Sequence, residues 1–234
     1  MRIASLFNTT LEHIESRRWN PYLGISINNK KFTREYLYDF MAWAAVRTKE
    51  RVAIVIVDII QHINNLVFDR SKPISAIDKA FRKAEEVRLL CDQAMSALPP
   101  QLSEKIVLLD WTDIVYDPFF CHNLQIFKEE YAENDDFRNA LIAITKKNLG
   151  SIVSRLDEDA IETLSRYLLN ELPELATGFM HDGIHYNLNV YPGRIGSIYS
   201  ELMCLNFFPR IYSRLYIIGN IASVEAYSEE APDG

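Results

Sequence analysis

Ser26 is the first residue whose setting invites chemistry. It closes the run Tyr22-Leu23-Gly24-Ile25-Ser26, which reads as a short buried strand entering a turn. A serine just past such a strand, on a glycine-containing turn, can present its hydroxyl to a reacting carbon as a covalent nucleophile. Gly-x-Ser is also a common tripeptide, and most such serines only cap helices. The hydrolase elbow G-x-S-x-G is incomplete, because Asn28 stands where its second glycine belongs.

Three further groups have spacing that matters. Tyr167 and Glu171 lie four residues apart on a helix whose apolar stripe is Ile161, Leu164 and Leu168, so phenol and carboxylate are neighbours on one edge. A carboxylate turned toward a core needs a partner or a cation, since burying an unpaired charge is costly, and a protonated amine would suit it. The plainer alternative is a last helical turn that emerges into solvent. Asn187, Asn189 and Tyr191 form a polar row leading to Pro192-Gly193, either a solvated strand face or a cleft wall with Tyr191 as donor or proton relay. A helix from Ser75 carries Lys79, Arg82 and Lys83 at i, i+3 and i+4, with Arg88 beyond, a basic face that can meet phosphates. Glu85 and Glu86 beside it fit an ordinary solvated surface as well. GxGxxG, P-loop and HExxH signatures are absent from the sequence. His181 and His185 fall in a turn around Gly183 rather than on a helix, so no metal site is expected.

The elements that must position these residues alternate. Strands are predicted at 22–26, 52–57 and 106–109, the second apolar on both faces as in a central parallel strand. Helices are predicted at 32–44, 75–98 (capped by Ser75 with Asp78), 119–130, 136–148 and 159–172. Beyond Pro173 the period becomes two, with Ile184, Tyr186, Leu188 and Val190 on one face, and Leu215–Ile218 reads as a last strand. The fold class is α/β with a largely parallel sheet, whose ligands sit beyond the carboxyl ends of the strands. The loops after Ser26, Asp58 and Leu109 are therefore the places for a site.

Composition sets the bounds. The 234 residues are 48% hydrophobic, and a core of that size needs no staple. The longest apolar run, Phe40 to Val46, cannot span a bilayer, and the first residues lack a signal-peptide stretch. Cys91, Cys121 and Cys204 are far apart, which fits a reduced cytoplasmic chain without membrane association. Residues 1–224 read as one domain, with a flexible acidic tail at 225–234. A formal charge of −7 argues against a nucleic-acid partner taken alone.

Taken together, the blocks resemble a cyclodipeptide synthase. GISINNKKF, Gly24 to Phe32, is similar to the family pattern G-I-S-x-x-N-x-x-F; YLLNELP, Tyr167 to Pro173, is similar to its Tyr-x-x-x-Glu helix end. Tyr191 follows Tyr167 by 24 residues, as the second pocket tyrosine does in the family, and the resemblance runs from about Tyr22 to Ile218. Asn29 marks one branch of the family and Pro192, after the second tyrosine, marks the other; Pro192 tilts the chain toward the Tyr-Pro branch.

The resemblance implies a Rossmann-type domain like the catalytic domain of class I tyrosyl- and tryptophanyl-tRNA synthetases, without an added anticodon-binding domain and without ATP signatures. It implies that Ser26 attacks the ester of a first aminoacyl-tRNA, and that a second aminoacyl-tRNA then supplies its α-amine to form a dipeptidyl-enzyme. Closure by the free amine releases a 2,5-diketopiperazine. No ATP, metal or other cofactor is required, and nothing calls for more than a monomer. Tyr167 and Glu171 would hold the first ammonium, Tyr191 would hydrogen-bond near Ser26, and Asn29 with Gly24 would fix the nucleophile loop. Tyr22, Gly24, Val55, Trp111 and Glu174 would line the first aminoacyl pocket, and Leu141, Asn148, Val57 and Asn189 the second. Trp111 is large for its place and Glu174 acidic for its own; if Glu174 faces the pocket, a polar, small or cationic first side chain is favoured over Leu or Phe. Lys79, Arg82, Lys83 and Arg88 would contact tRNA, with Arg47, Lys146, Lys147 and Arg194 as further cations.

Two rivals stand beside this reading. One is an acyl hydrolase using Ser26 with Asp182 and His185; the other is a non-catalytic synthetase-like module that only holds RNA. The charge of −7 describes the whole surface, whereas tRNA needs one local basic face. Few phosphate contacts are therefore expected. A salt titration of tRNA binding should give a log–log slope far shallower than the roughly −10 of a many-contact binder; a slope that steep would contradict the expectation.

Overall fold

The computed structural model describes residues 1–193 and 208–228. An opening strand β1 (Arg2–Phe7) and a short α1 (Leu11–Glu15) precede β2 (Pro21–Ser26), α2 (Arg34–Arg47) and β3 (Val52–Val57). A 3-10 turn at Ile59–Gln61 then leads into α3 (His62–Phe68), α4 (Pro73–Ser96) and α5 (Pro100–Ser103), followed by β4 (Ile106–Asp110). Next come α6 (Trp111–Val115), α7 (Pro118–Glu133), α8 (Asp135–Leu149) and α9 (Glu158–Thr177). The hairpin β5 (Phe179–His181) and β6 (Ile184–Tyr186) leads to β7 (Leu188–Tyr191), and α10 (Phe208–Tyr212) and β8 (Ala222–Tyr227) close the described chain.

The main sheet has the order β1-β8-β7-β2-β3-β4. Every neighbouring pair is parallel except β1 with β8. From β2 the chain winds outward through β3 and β4, and the later strands β7 and β8 lie on the opposite side. The order therefore reverses between β2 and β7, which places the ligand crevice of an open α/β sheet beyond the ends of those two strands. As predicted, β3 is buried at all six positions. Leu23, Ile25, Ile54 and Ile56 pack on one face against α2 and α4. Tyr22, Val55, Leu109 and Trp111 form the core on the other. A third cluster joins α7, α8, α9 and α10.

Several predicted boundaries move, each for a local reason. Pro73 opens α4 at its first position, where the missing N–H is not needed and the fixed φ suits a helix; Lys72, not Ser75, is the cap residue. Helix α9 runs through Pro173 to Thr177, because Leu172, Leu175 and Ala176 are buried in the helical layer and that packing outweighs a proline cost of about 3 kcal/mol. It stops at Gly178, whose φ is +66° and where a Cβ would stand 2.2 Å from the Tyr186 carbonyl oxygen. The period-two run after it breaks at Asn187: Tyr186 belongs to the Tyr22 cluster, Leu188 and Val190 to the opposite face. Leu215–Ile218 is not a strand; the last strand is β8, which includes Glu225 and so moves the start of the predicted tail, while residues 229–234 lie outside the described residues.

A buried polar joint holds the amino end of β2. Asn20 Oδ1 accepts from the backbone N–H of Glu50 (2.8 Å) and of Arg51 (3.3 Å), and Asn20 Nδ2 donates to the His185 carbonyl at 3.1 Å. Asn187 completes it, its Oδ1 accepting from the Asn20 N–H and its Nδ2 donating to the Asn220 carbonyl. Asn20→Ala strands several buried donors and acceptors and should cost about 2–3 kcal/mol, lowering Tm by roughly 5–10 °C; a thermal melt within a degree of wild type would refute the joint.

Candidate active site

Ser26 and Tyr191 end β2 and β7, on either side of the strand-order reversal. Between them lies a cavity of about 380 Å³, walled on its other side by α8 and α9. Alternation along β2 puts Tyr22, Gly24 and Ser26 on one face, and of these Gly24 and Ser26 reach the cavity. From α9 come Leu164, Tyr167, Leu168, Glu171, Glu174 and Leu175, one helical face at steps of three and four. Asn189 and Tyr191 arrive from β7, Val57 from β3, and Asn148 and Thr145 from α8.

The loop after Ser26 is tied to the end of β7. Asn29 Nδ2 donates to the Tyr191 hydroxyl at 3.0 Å, while the Asn29 N–H donates to the Ser26 carbonyl at 2.9 Å. Lys31 Nζ donates to the Pro192 carbonyl at 3.1 Å, and Phe32 packs edge-on against Tyr191 at 5.5 Å. Asn29 and Pro192 thus belong to one clasp. Burial pushes the Tyr191 phenol up to about 12, so it remains a neutral donor.

Tyr167 is the contrast. Its hydroxyl is buried and has no hydrogen-bond partner of normal geometry, although Ser26 and Glu171 are near enough to influence it. Burial, then the Glu171 charge, raises its ionisation well above that of a free phenol. Burial also lifts the carboxyl of Glu171, to about 7. Glu174 is 4% exposed, and burial first, with the Glu171 charge second, raises it to about 8. Asn189 Nδ2 donates to Glu174 Oε1 at 3.3 Å, and the Tyr22 hydroxyl donates to the Glu174 carbonyl at 3.1 Å. A Cβ at residue 24 would stand 3.4 Å from Glu174 Oε1, in van der Waals contact, so that carboxyl lies directly against Gly24. Among the described residues, none that lines the cavity is Lys, Arg or His.

The chain belongs to the cyclodipeptide synthase family. The family model of that name matches residues 7–204, and it carries the reading of the chain as an aminoacyltransferase. No curated protein sequence matches. Among solved structures, the chain is similar to a cyclodipeptide synthase from Bacillus thermoamylovorans, with TM-score 0.69 at 16% identity over 91% of this chain and 90% of that one. A Mycobacterium tuberculosis protein, described as demonstrating that cyclodipeptide synthetases are related to type I tRNA synthetases, aligns with TM-score 0.69 at 17% identity over 91% and 87%. The synthase of Candidatus Glomeribacter gigasporarum, solved bound to Phe-tRNAPhe, aligns with TM-score 0.60 at 16% identity over 92% and 91%. Identities this low speak for the fold alone.

Of the residues singled out from sequence, Gly24, Ser26, Val57, Asn148, Tyr167, Glu171, Glu174, Asn189 and Tyr191 share the cavity. Tyr22, Val55 and Trp111 do not line it; they pack behind its floor, Trp111 edge-on against Phe120 at 5.7 Å. Leu141 is buried among α7, α8 and α9, one turn before Thr145. Asn187 belongs to the Asn20 joint, so the polar row has two members at the site rather than three. The serine-hydrolase set is not assembled: His185 Nε2 bonds the Thr177 carbonyl at 2.8 Å, and Asp182 faces His181. The His185 carbonyl sits on Asn20, six residues and so about 20 Å of strand from Ser26.

Of the basic residues, Lys79, Arg82 and Lys83 line a groove with Ile27 and Asn28 of the loop after Ser26. Lys79 reaches Asp69 at 3.2 Å and Lys83 reaches Glu86 at 2.9 Å, exposed pairs that anions can displace. Arg88 is held away by Asp110. Arg47 pairs with Glu15 and Lys146 with Glu158, while Arg194 lies outside the described residues. Sequence reading missed Asn64, Thr145 and Leu175 at the cavity; continuing the helical period through Pro173 would have found Leu175 with Glu174.

Both raised carboxyls bind protons more tightly folded than unfolded. Stability is therefore greatest below about pH 4.5 as far as they are concerned, and falls as pH rises toward 8. Glu174→Gln removes one titration. Relative to wild type it should gain roughly 2–4 kcal/mol between pH 5 and pH 8.5, read as a widening difference in Tm; a pH-independent difference would count against burial of this carboxyl in the folded state.

Proposed function

We propose that the chain condenses two aminoacyl groups delivered as tRNA esters into a 2,5-diketopiperazine, with Ser26 as the covalent nucleophile. The observation that carries this reading is the placement of Ser26 at the strand-order reversal, beside a carboxyl and an unpartnered phenol, with no histidine among the described residues of the cavity. An aminoacyl ester is already activated, so a serine without a triad suffices. The Ser26 oxygen attacks the first ester carbonyl, the tRNA ribose oxygen leaves with a proton, and an aminoacyl-Ser26 ester remains. Its α-ammonium fits between Glu171 and the Tyr167 hydroxyl.

Atom balance decides the next step and corrects the sequence-level expectation. If the incoming amine attacked Ser26, the dipeptide would pass to tRNA and no dipeptidyl-enzyme would remain. The amine of the residue held on Ser26 must instead attack the second ester carbonyl, forming the peptide bond and releasing the second tRNA. Glu171, raised to about 7, is matched to take the proton from an α-ammonium of ordinary pKa about 8. The new terminal amine then attacks the Ser26 ester, restoring the hydroxyl and releasing the ring; proximity supplies much of that rate. Tyr191, fixed by Asn29, donates toward the reacting carbonyl. In this reading the groove of Lys79, Arg82 and Lys83 receives tRNA phosphates close to the loop, and the use of charged tRNA supports a cytoplasmic location. Among the described residues no helix is long and apolar enough to cross a membrane.

Expression in a bacterial host with mass spectrometry of the medium tests this reading. Wild type should yield diketopiperazines, and Ser26→Ala should reduce them at least 1,000-fold while remaining folded. Products that persist in Ser26→Ala would exclude covalent catalysis at this serine.

A further inference from the structure

Glu174 is not needed to hold the α-ammonium or to carry its proton, and yet it is the most buried acid of the cavity. Two carboxyls, Glu171 and Glu174, enter the same cavity from successive turns of α9, and among the described residues no cationic side chain lines it. One α-ammonium compensates one of them. The other must stay protonated or meet a second positive charge, because an unpaired carboxylate cannot be kept in such a site.

We propose that the Glu174 end of the cavity selects, as the first residue loaded on Ser26, an amino acid with a cationic side chain, of the ammonium, guanidinium or imidazolium class. The inference rests on the reading of Ser26 as nucleophile. Three features support it. Gly24 stands two residues before Ser26 on the same strand face, so Glu174, which lies against it, is roughly 7 Å deeper than the nucleophile. That depth is where the end of a side chain lies when its carbonyl is on Ser26. Glu171 and Glu174 are three apart on one helix face, about 5–6 Å between Cβ atoms, a spacing suited to the two charges of a basic amino acid.

The third feature is the surrounding polarity. Asn189, which donates to the Glu174 carboxyl, and Tyr22, which donates to the Glu174 backbone carbonyl, are neutral. Asn189, which lines the same cavity, has its Oδ1 buried without a hydrogen bond, a second acceptor beside the Glu174 carboxyl. An ammonium, guanidinium or imidazolium brings several N–H donors to meet Asn189 Oδ1 together with the Glu174 carboxyl, whereas a Leu or Phe side chain would leave Asn189 Oδ1 unmet.

Purified protein is offered Escherichia coli tRNA charged with one amino acid at a time, quenched in acid, and weighed intact. The Ser26 adduct should form at least tenfold faster with Lys, Arg or His than with Leu, Phe or Met. Cyclic dipeptides from the full charged pool should each contain a basic residue. Adducts and products made only from apolar residues would overturn this inference while leaving the serine mechanism standing. No adduct and no product from any charged tRNA would overturn both. Glu174→Leu should reverse the preference by at least tenfold. If that variant does not fold, the isosteric Glu174→Gln should still lower loading of basic residues tenfold relative to Leu, and an unchanged ratio would overturn the role of Glu174.

Discussion

Between β2 and β7 the parallel ladder holds for only two pairs, Pro21 with Leu188 and Tyr22 with Asn189, whereas β2 keeps five pairs with β3 on its other side. Beyond those two pairs the strands part, and the opening admits α9 with its carboxyls on one side and the Asn29 loop on the other. Had the ladder continued to Ser26, the space between Ser26 and Tyr191 would be filled by backbone. The Asn20–Asn187 joint at the amino end pins the short ladder where it must hold, and the Asn29–Tyr191 hydrogen bond bridges the strands again past the opening. Fold and site are consequences of the same partial pairing.

Desolvation then sets the chemistry of the opening. Carboxyls lifted toward neutrality and phenols held un-ionised give a cavity that is polar without being strongly charged when empty. Such a site gains most from a ligand that supplies positive charge and N–H donors, as an aminoacyl ester does through its ammonium. Gly24 on the strand beneath the acids lies directly against the Glu174 carboxyl, within van der Waals reach of a Cβ.

The net charge of −7 is compatible with an anionic substrate because the surface is uneven. Lys79, Arg82 and Lys83 lie together beside the loop after Ser26, and the acidic partners of Lys79 and Lys83 are exposed and exchangeable. Charge summed along a chain carries no information about which face collects it.

The sequence by itself determined the elements and the parts list of the site. β3 is legible because six apolar residues in a row suit a strand covered on both faces, and α2, α7 and α8 are legible because period and caps are local properties. Ser26, Tyr167, Glu171 and Tyr191 are legible from motif spacing. What lies between them is not: local rules end α9 at Pro173, and only its burial in the helical layer carries it on to turn Glu174 into the cavity. Likewise β1, β8 and the split at Asn187 depend on partners more than 25 residues away. Trp111, placed by resemblance at a pocket, is core because its neighbours across α6 and α7 close over it. Periodicity is written in adjacent residues, but burial is decided by what the rest of the chain brings against them, and this site is built from burial.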